Sequence, residues 1–145
     1  MLRIALCDDT PASIETLERY FDILNDPAID YDVYFSAEEL YRYKINNKSS
    51  YDIYILDIEM QGMSGLELAK VLRDSEPNAL IIFLTSYSEY VFDVFEVITF
   101  DFLLKPITFE IFQKVLQKAS AYLDMTKKIF SFSYCKKNFN IPCSE

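Results

Sequence analysis

YILDIEMQGMSGLELAK, residues 54–70, joins an apolar run to a helix start through a short connection crowded with unusual residues. The run DIYILD, Asp52–Asp57, is apolar at successive central positions. That is the pattern of a strand covered by helices on both faces of a parallel sheet. It stops at Asp57, a second acid follows at Glu59, and the chain's only two glycines, Gly62 and Gly65, come soon after. Ser64 and Glu67 have capping-box spacing, and Leu68, Ala69 and Leu72 supply the inner face of the helix that follows. The glycines would let the chain turn sharply and re-enter a helix beside Asp57, leaving one side of it open. A plainer alternative is that Gly65 permits close packing at the helix start.

The same strand-then-helix pattern extends in both directions. Upstream, RIALCDD (Arg3–Asp9) reads as a buried strand ending in two acids, and Thr10-Pro11 as a helix start with a capping hydroxyl. Ile14, Leu17, Phe21 and Leu24 give that helix an apolar face. YDVYF (Tyr31–Phe35) alternates as a second strand, and Ser36 with Glu39 opens a second helix running to about Asn46. Downstream, Pro77-Asn78 breaks the chain before LIIFLT (Leu80–Thr85), the strongest buried strand. Val91, Phe95 and Ile98 mark a short fourth helix. FDFLLKP (Phe100–Pro106) is a fifth strand, and Thr108 caps a last helix whose buried stripe is Ile111, Phe112, Val115, Leu116, Ala119 and Leu123. Five alternations of strand and helix imply an α/β domain with right-handed crossovers.

Composition narrows the chemistry. The chain has 145 residues, enough for one domain or one domain with a tail. It contains no histidine, which removes Ser-His-Asp and Cys-His pairs and makes a zinc site implausible. Two glycines cannot make a P-loop or a dinucleotide fingerprint. Three cysteines, Cys7, Cys135 and Cys143, lack metal-ligand spacing and suit a reducing cytosol. A net charge of −9 opposes nucleic-acid binding by this piece. No run approaches the ~20 apolar residues of a membrane span, and no signal or transit peptide is visible. Carboxylates, hydroxyls and lysine remain.

In a doubly wound sheet, ligands bind outside the carboxyl ends of the strands. Asp8-Asp9, Asp57, Thr85 and Lys105 end the first, third, fourth and fifth strands. Taken singly, each has a plain reading. Asp8-Asp9 can be solvated caps, Asp57 a turn residue as readily as a site, Thr85 a β-former and Lys105 a surface lysine. Their joint placement carries the signal. Two acids ~4 Å apart repel by about 4 kcal/mol at an effective dielectric near 20. A cluster of three needs a compensating cation, and oxygen ligands suit Mg²⁺. A phosphoryl group could then be held at Asp57 with Lys105 and Thr85 on its remaining oxygens.

CDD, YILDIEMQGMSGLELAK, IIFLTSYSEY and FDFLLKPI resemble the receiver domain of bacterial response regulators over residues 1–124. The resemblance implies a flavodoxin-like (βα)5 fold, a doubly wound parallel sheet of strand order 2-1-3-4-5. It implies that Asp57 accepts a phosphoryl group from the phosphohistidine of a sensor histidine kinase, in the cytoplasm. Asp9, Asp57 and the Glu59 backbone carbonyl would ligate Mg²⁺, with Asp8 acting mainly through water. Thr85 and Lys105 would hold phosphoryl oxygens, Thr85 and Phe102 would form the switch, and the bond preceding Pro106 would be cis. Such a domain catalyses only its own phosphorylation and dephosphorylation. Gln61 departs from the pattern, replacing a usual proline, and Phe102 lacks a tyrosine hydroxyl. Glu59 and Tyr87 occupy positions that tune dephosphorylation in the family.

Beyond residue 124 the chain changes character. Phe130, Phe132 and Tyr134 alternate with Ser131 and Ser133, and CKKN leads into FNIP. Residues 125–145 resemble a linker and the opening strands of a LytTR-type DNA-binding domain, so that DNA would be met only through sequence beyond residue 145. A tail packed on the receiver or disordered is the alternative. Of aromatic Tyr87, Tyr90, Phe92 and Phe95, core packing accounts for most, and the remainder, on the fourth helix and fifth strand, suggests a homodimer face used on phosphorylation. Two functions compete with regulation. An aspartyl-phosphate phosphatase of haloacid-dehalogenase type needs its second aspartate two residues after the first, where this chain has Thr10. A receiver-like domain that is never phosphorylated conflicts with the full polar set.

Overall fold

The structure, a computed structural model, describes residues 1–47, 50–86 and 99–137, the last of these (127–137) by backbone alone. The described elements are β1 (Leu2–Cys7), α1 (Pro11–Leu24), β2 (Ile29–Tyr34), α2 (Ala37–Asn47), β3 (Ile53–Asp57), α3 (Gly65–Ser75), β4 (Leu80–Thr85), β5 (Asp101–Leu104) and α4 (Phe109–Lys137). All five strands are parallel in the order β2-β1-β3-β4-β5. This is the doubly wound, flavodoxin-like arrangement expected from the sequence.

Side chains of β3 alternate between two cores. Tyr54 and Leu56 pack with Ala37 and Leu40 of α2 and Leu68, Ala69 and Leu72 of α3. Ile53 and Ile55 pack with Ile14, Leu17 and Phe21 of α1 and Phe112, Val115, Leu116 and Ala119 of α4. Every residue of β3 and β4 is buried, which explains why both read as continuous apolar runs. Strand order reverses between β1 and β3, so the ends of those strands open onto a shared crevice.

Local signals were mostly realised. Ser36 Oγ accepts from Glu39 N at 3.1 Å, Ser64 Oγ from Glu67 N at 3.2 Å, and Thr108 Oγ1 from Ile111 N at 3.3 Å. Thr10 differs, because its side chain makes no capping bond. The acid before it takes part instead: Thr10 N donates to Asp8 Oδ1 at 2.9 Å, and Pro11 fills the first turn. Ile111, assigned to the buried stripe of the last helix, is 51% exposed, while its neighbour Phe112 is fully buried. Adjacent residues point about 100° apart around a helix, and here Phe112 takes the core side while Ile111 falls on the solvent side.

The tail also departs from expectation. The backbone is helical from Phe109 through Lys137, so residues 130–134 are not strands. Extending a formed helix adds one hydrogen bond per residue fixed, whereas a two-stranded hairpin is marginal in water. Residues 138–145 lie outside the described residues. So does the segment 87–98, where the short helix at Val91, Phe95 and Ile98 and the aromatic face were expected.

Gly65 turns out to be a packing requirement. A Cβ there would stand 2.1 Å from the Asp57 carbonyl oxygen and 3.0 Å from Ile58 Cα. Gly65 N donates to Ile58 O at 3.0 Å, so helix start and strand end are locked backbone to backbone. The plainer alternative for this glycine is therefore the correct one, and the reading that it leaves Asp57 open is set aside. Backbone cannot retreat as a flexible side chain can. Gly65→Ala is expected to destabilise the protein by about 3 kcal/mol in urea unfolding. A change below about 0.5 kcal/mol, the range of ordinary surface substitutions, would refute this packing account.

Candidate functional site

Parallel strands place their last residues at one edge, and the polar residues named from the sequence meet there. Asp8 follows β1 and is fully buried, Asp57 ends β3 at 4% exposure, and Thr85 ends β4 at 2%. Asp9 lies toward solvent. One carboxylate oxygen from each of Asp8, Asp9 and Asp57 lies within 4.8 Å of the others. Lys105, just past β5, crosses the edge to them. Its Nζ is 2.9 Å from Asp8 Oδ2 and 3.6 Å from Asp57 Oδ1.

Backbone bonds hold the lysine in place. Lys105 N donates to Thr85 O at 2.8 Å, tying the ends of β4 and β5 together, and the Lys105–Pro106 peptide bond is cis. Thr85 lies one position beyond Leu84, which pairs with Asp57 across β3 and β4. Phe102 pairs with Phe83 and is partly buried against the core on the α2 and α3 side.

Electrostatics follow from this crowding. Burial, and after it the neighbouring Asp8, push the Asp57 carboxyl up to about 7, while the Lys105 ammonium pulls it the other way. A single ammonium leaves three acids under-compensated. The donors are all oxygen and partly water-shielded, the set that suits a hard divalent cation with carboxylate ligands. Glu59 lines the same surface cleft as Asp9, which puts its backbone in the vicinity. Among the described residues, the chemistry of the donor set thus fits Mg²⁺.

The β3–α3 connection has further anchors that the sequence reading missed. Gln61 N donates to Asp9 Oδ2 at 3.3 Å, and Met63 N donates to Glu38 Oε2 at 2.8 Å. Gly62 has φ +80°, a left-handed conformation that glycine adopts without strain. Its need for a positive φ was legible as a turn signal. Glu38 was not, because an acid in the first turn of a helix is ordinary and its partner lies 25 residues away. Among the described residues, no helix is long and apolar enough to cross a membrane.

Known proteins share this architecture. The chain is 33% identical over 118 residues to the transcriptional regulatory protein BtsR of Escherichia coli (strain K12), covering 81% of this chain and 48% of BtsR. It is 32% identical over 106 residues to the transcriptional regulatory protein NatR of Bacillus subtilis (strain 168), covering 73% of this chain and 44% of NatR. The chain thus spans about half the length of the curated relatives it matches. It also matches the structure of response regulator protein TrrA from Thermotoga maritima in complex with Mg²⁺-BeF, with TM-score 0.70 and 33% identity over 82% of this chain and 99% of that one. The profile of the response regulator receiver domain matches residues 4–117, and the chain belongs to that family.

Proposed function

We propose that this chain is the phosphorylation-controlled input of a two-component regulator, with Asp57 as phosphoacceptor. The observation that carries the reading is the Lys105 ammonium between the buried carboxylates of Asp8 and Asp57, from strands far apart in the chain. An Asp57 oxygen attacks the phosphorus of a phosphohistidine on a sensor histidine kinase. The P–N bond breaks, and the imidazole nitrogen leaves with the electron pair. Asp8, Asp9, Asp57 and the Glu59 backbone carbonyl would hold Mg²⁺, which when bound neutralises charge on the phosphoryl oxygens. Lys105 and the Thr85 hydroxyl bind those oxygens, with Lys105 freed from part of its pairing to Asp8. Donors already fixed at a strand edge need little reorganisation for this.

Phosphorylation adds charge and acceptor oxygens beside Thr85, and a change in the packing of Phe102 carries the signal to the β4–β5 edge. A homodimer face that includes β5 is where that signal is read. The output is transcriptional and cytoplasmic, through a LytTR-type domain outside this chain. The support for a transcriptional output is the kinship to two transcriptional regulators.

Incubation with acetyl phosphate or phosphoramidate and Mg²⁺ is expected to add one phosphate by intact mass, and Asp57→Asn to abolish it. Undiminished labelling of the variant would refute Asp57 as acceptor. Turnover of small phosphate esters would instead favour the phosphatase alternative.

The raised Asp57 pKa makes a second expectation, whose sign is set by linkage. A carboxyl with a raised folded-state pKa contributes stability at low pH that is lost as pH rises from about 4 to about 7. In metal-free buffer at pH 8, Asp57→Asn should therefore raise stability by about 1–3 kcal/mol, and by almost nothing near pH 4. Equal stability of the two proteins at pH 8 would contradict the crowding.

A further inference from the structure

The connection from Ile58 to Ser64 carries the loop-borne part of the acidic site, and its own sequence does little to stiffen it. Gln61 stands where a proline would restrict the backbone, and Gly62 follows. Both ends of the turn are nevertheless held from outside. Gln61 N donates to Asp9 Oδ2 at 3.3 Å, a bond that proline, having no N–H, could not make. Met63 N donates to Glu38 Oε2 at 2.8 Å, a charge-assisted hydrogen bond of short length.

Glu38 and Gly62 are also fitted to each other. A Cβ on residue 62 would stand 2.3 Å from Glu38 Oε2, in the space the carboxylate uses to reach Met63. Glu38 sits in the first turn of α2, where the helix dipole favours a negative charge. Its carboxyl is held below the usual range, first by the Met63 N–H and then by its own backbone N–H. One carboxylate therefore joins the start of α2 to the turn that follows the acceptor strand.

We propose that Glu38 is a positioning residue for the cation site: from α2 it clamps the Gly62–Met63 turn and so fixes the loop that carries the Glu59 carbonyl and contacts Asp9. It supplies by a hydrogen bond the restraint that a proline at position 61 would supply by its ring. The proposal rests on the reading of Asp9, Asp57 and the Glu59 carbonyl as Mg²⁺ ligands, with Asp8 acting through water. Glu38 touches neither phosphoryl group nor cation, so its effect reaches the site only through the backbone of the loop.

Amide hydrogen exchange and Mg²⁺ calorimetry on the whole chain test this together. In the Mg²⁺-free protein, Glu38→Ala should speed exchange at Met63 by about tenfold, the size expected for losing one hydrogen bond to a charged group, with β3 amides unchanged. It should weaken Mg²⁺ binding by about tenfold, the lower end for partners that orient metal ligands. Glu38→Gln keeps an acceptor oxygen but no charge, and should hold both quantities within about threefold of the unaltered protein. Unchanged Met63 exchange in Glu38→Ala would overturn the clamp. Glu38→Gln that protects Met63 yet loses Mg²⁺ as Glu38→Ala does would assign the effect to charge and also overturn it. Absence of Mg²⁺ binding by the unaltered protein would overturn the cation reading and this proposal with it. Met63 exchange would still tell that failure apart from a missing clamp.

Discussion

Lys105 between Asp8 and Asp57 is the interaction on which the rest of the structure depends. Buried carboxylates repel, and a buried charge is costly unless paired. At 2.9 Å and 3.6 Å, one ammonium serves two acids that belong to different strands. It cannot satisfy both fully. Asp57 is left close to the point of taking up a proton. A site in that condition fits a divalent cation. On the proposed function, the repulsion among these charges and the acceptance of a phosphoryl group by Asp57 have the same origin.

A rigid frame is needed to keep like charges together. β3 provides it, buried on both faces and flanked by β1 and β4. The close approach of Gly65 to the Asp57 carbonyl fastens the next helix to the end of that strand. Beyond it the chain has fewer internal restraints, and Asp9 and Glu38 hold the loop by its N–H groups. α2 thus enters the neighbourhood of the site without contributing a ligand.

Much of this was visible in the sequence because the strands announce their own ends. DIYILD and LIIFLT are apolar until they stop at Asp57 and Thr85, and parallel topology alone then gathers those residues. Caps at Ser36, Ser64 and Thr108 were legible because they depend on neighbours three residues away. What was hidden depends on three-dimensional approach. Thr10 looked like a cap, but Asp8 takes its N–H. Gly65 could be read as an opening beside Asp57 until the carbonyl facing it was seen. Glu38 carries no local mark of its bond to Met63. Alternating Phe130, Phe132 and Tyr134 suggested strands, yet the preceding helix continues through them.

The most direct test is a crystal structure of the chain with Mg²⁺ and beryllofluoride, a mimic of the phosphoryl group. The account predicts a cation ligated by Asp9, Asp57 and the Glu59 carbonyl, and beryllofluoride on Asp57 within hydrogen-bond reach of Lys105 and Thr85. A cation bound elsewhere, or beryllofluoride away from Asp57, would contradict it.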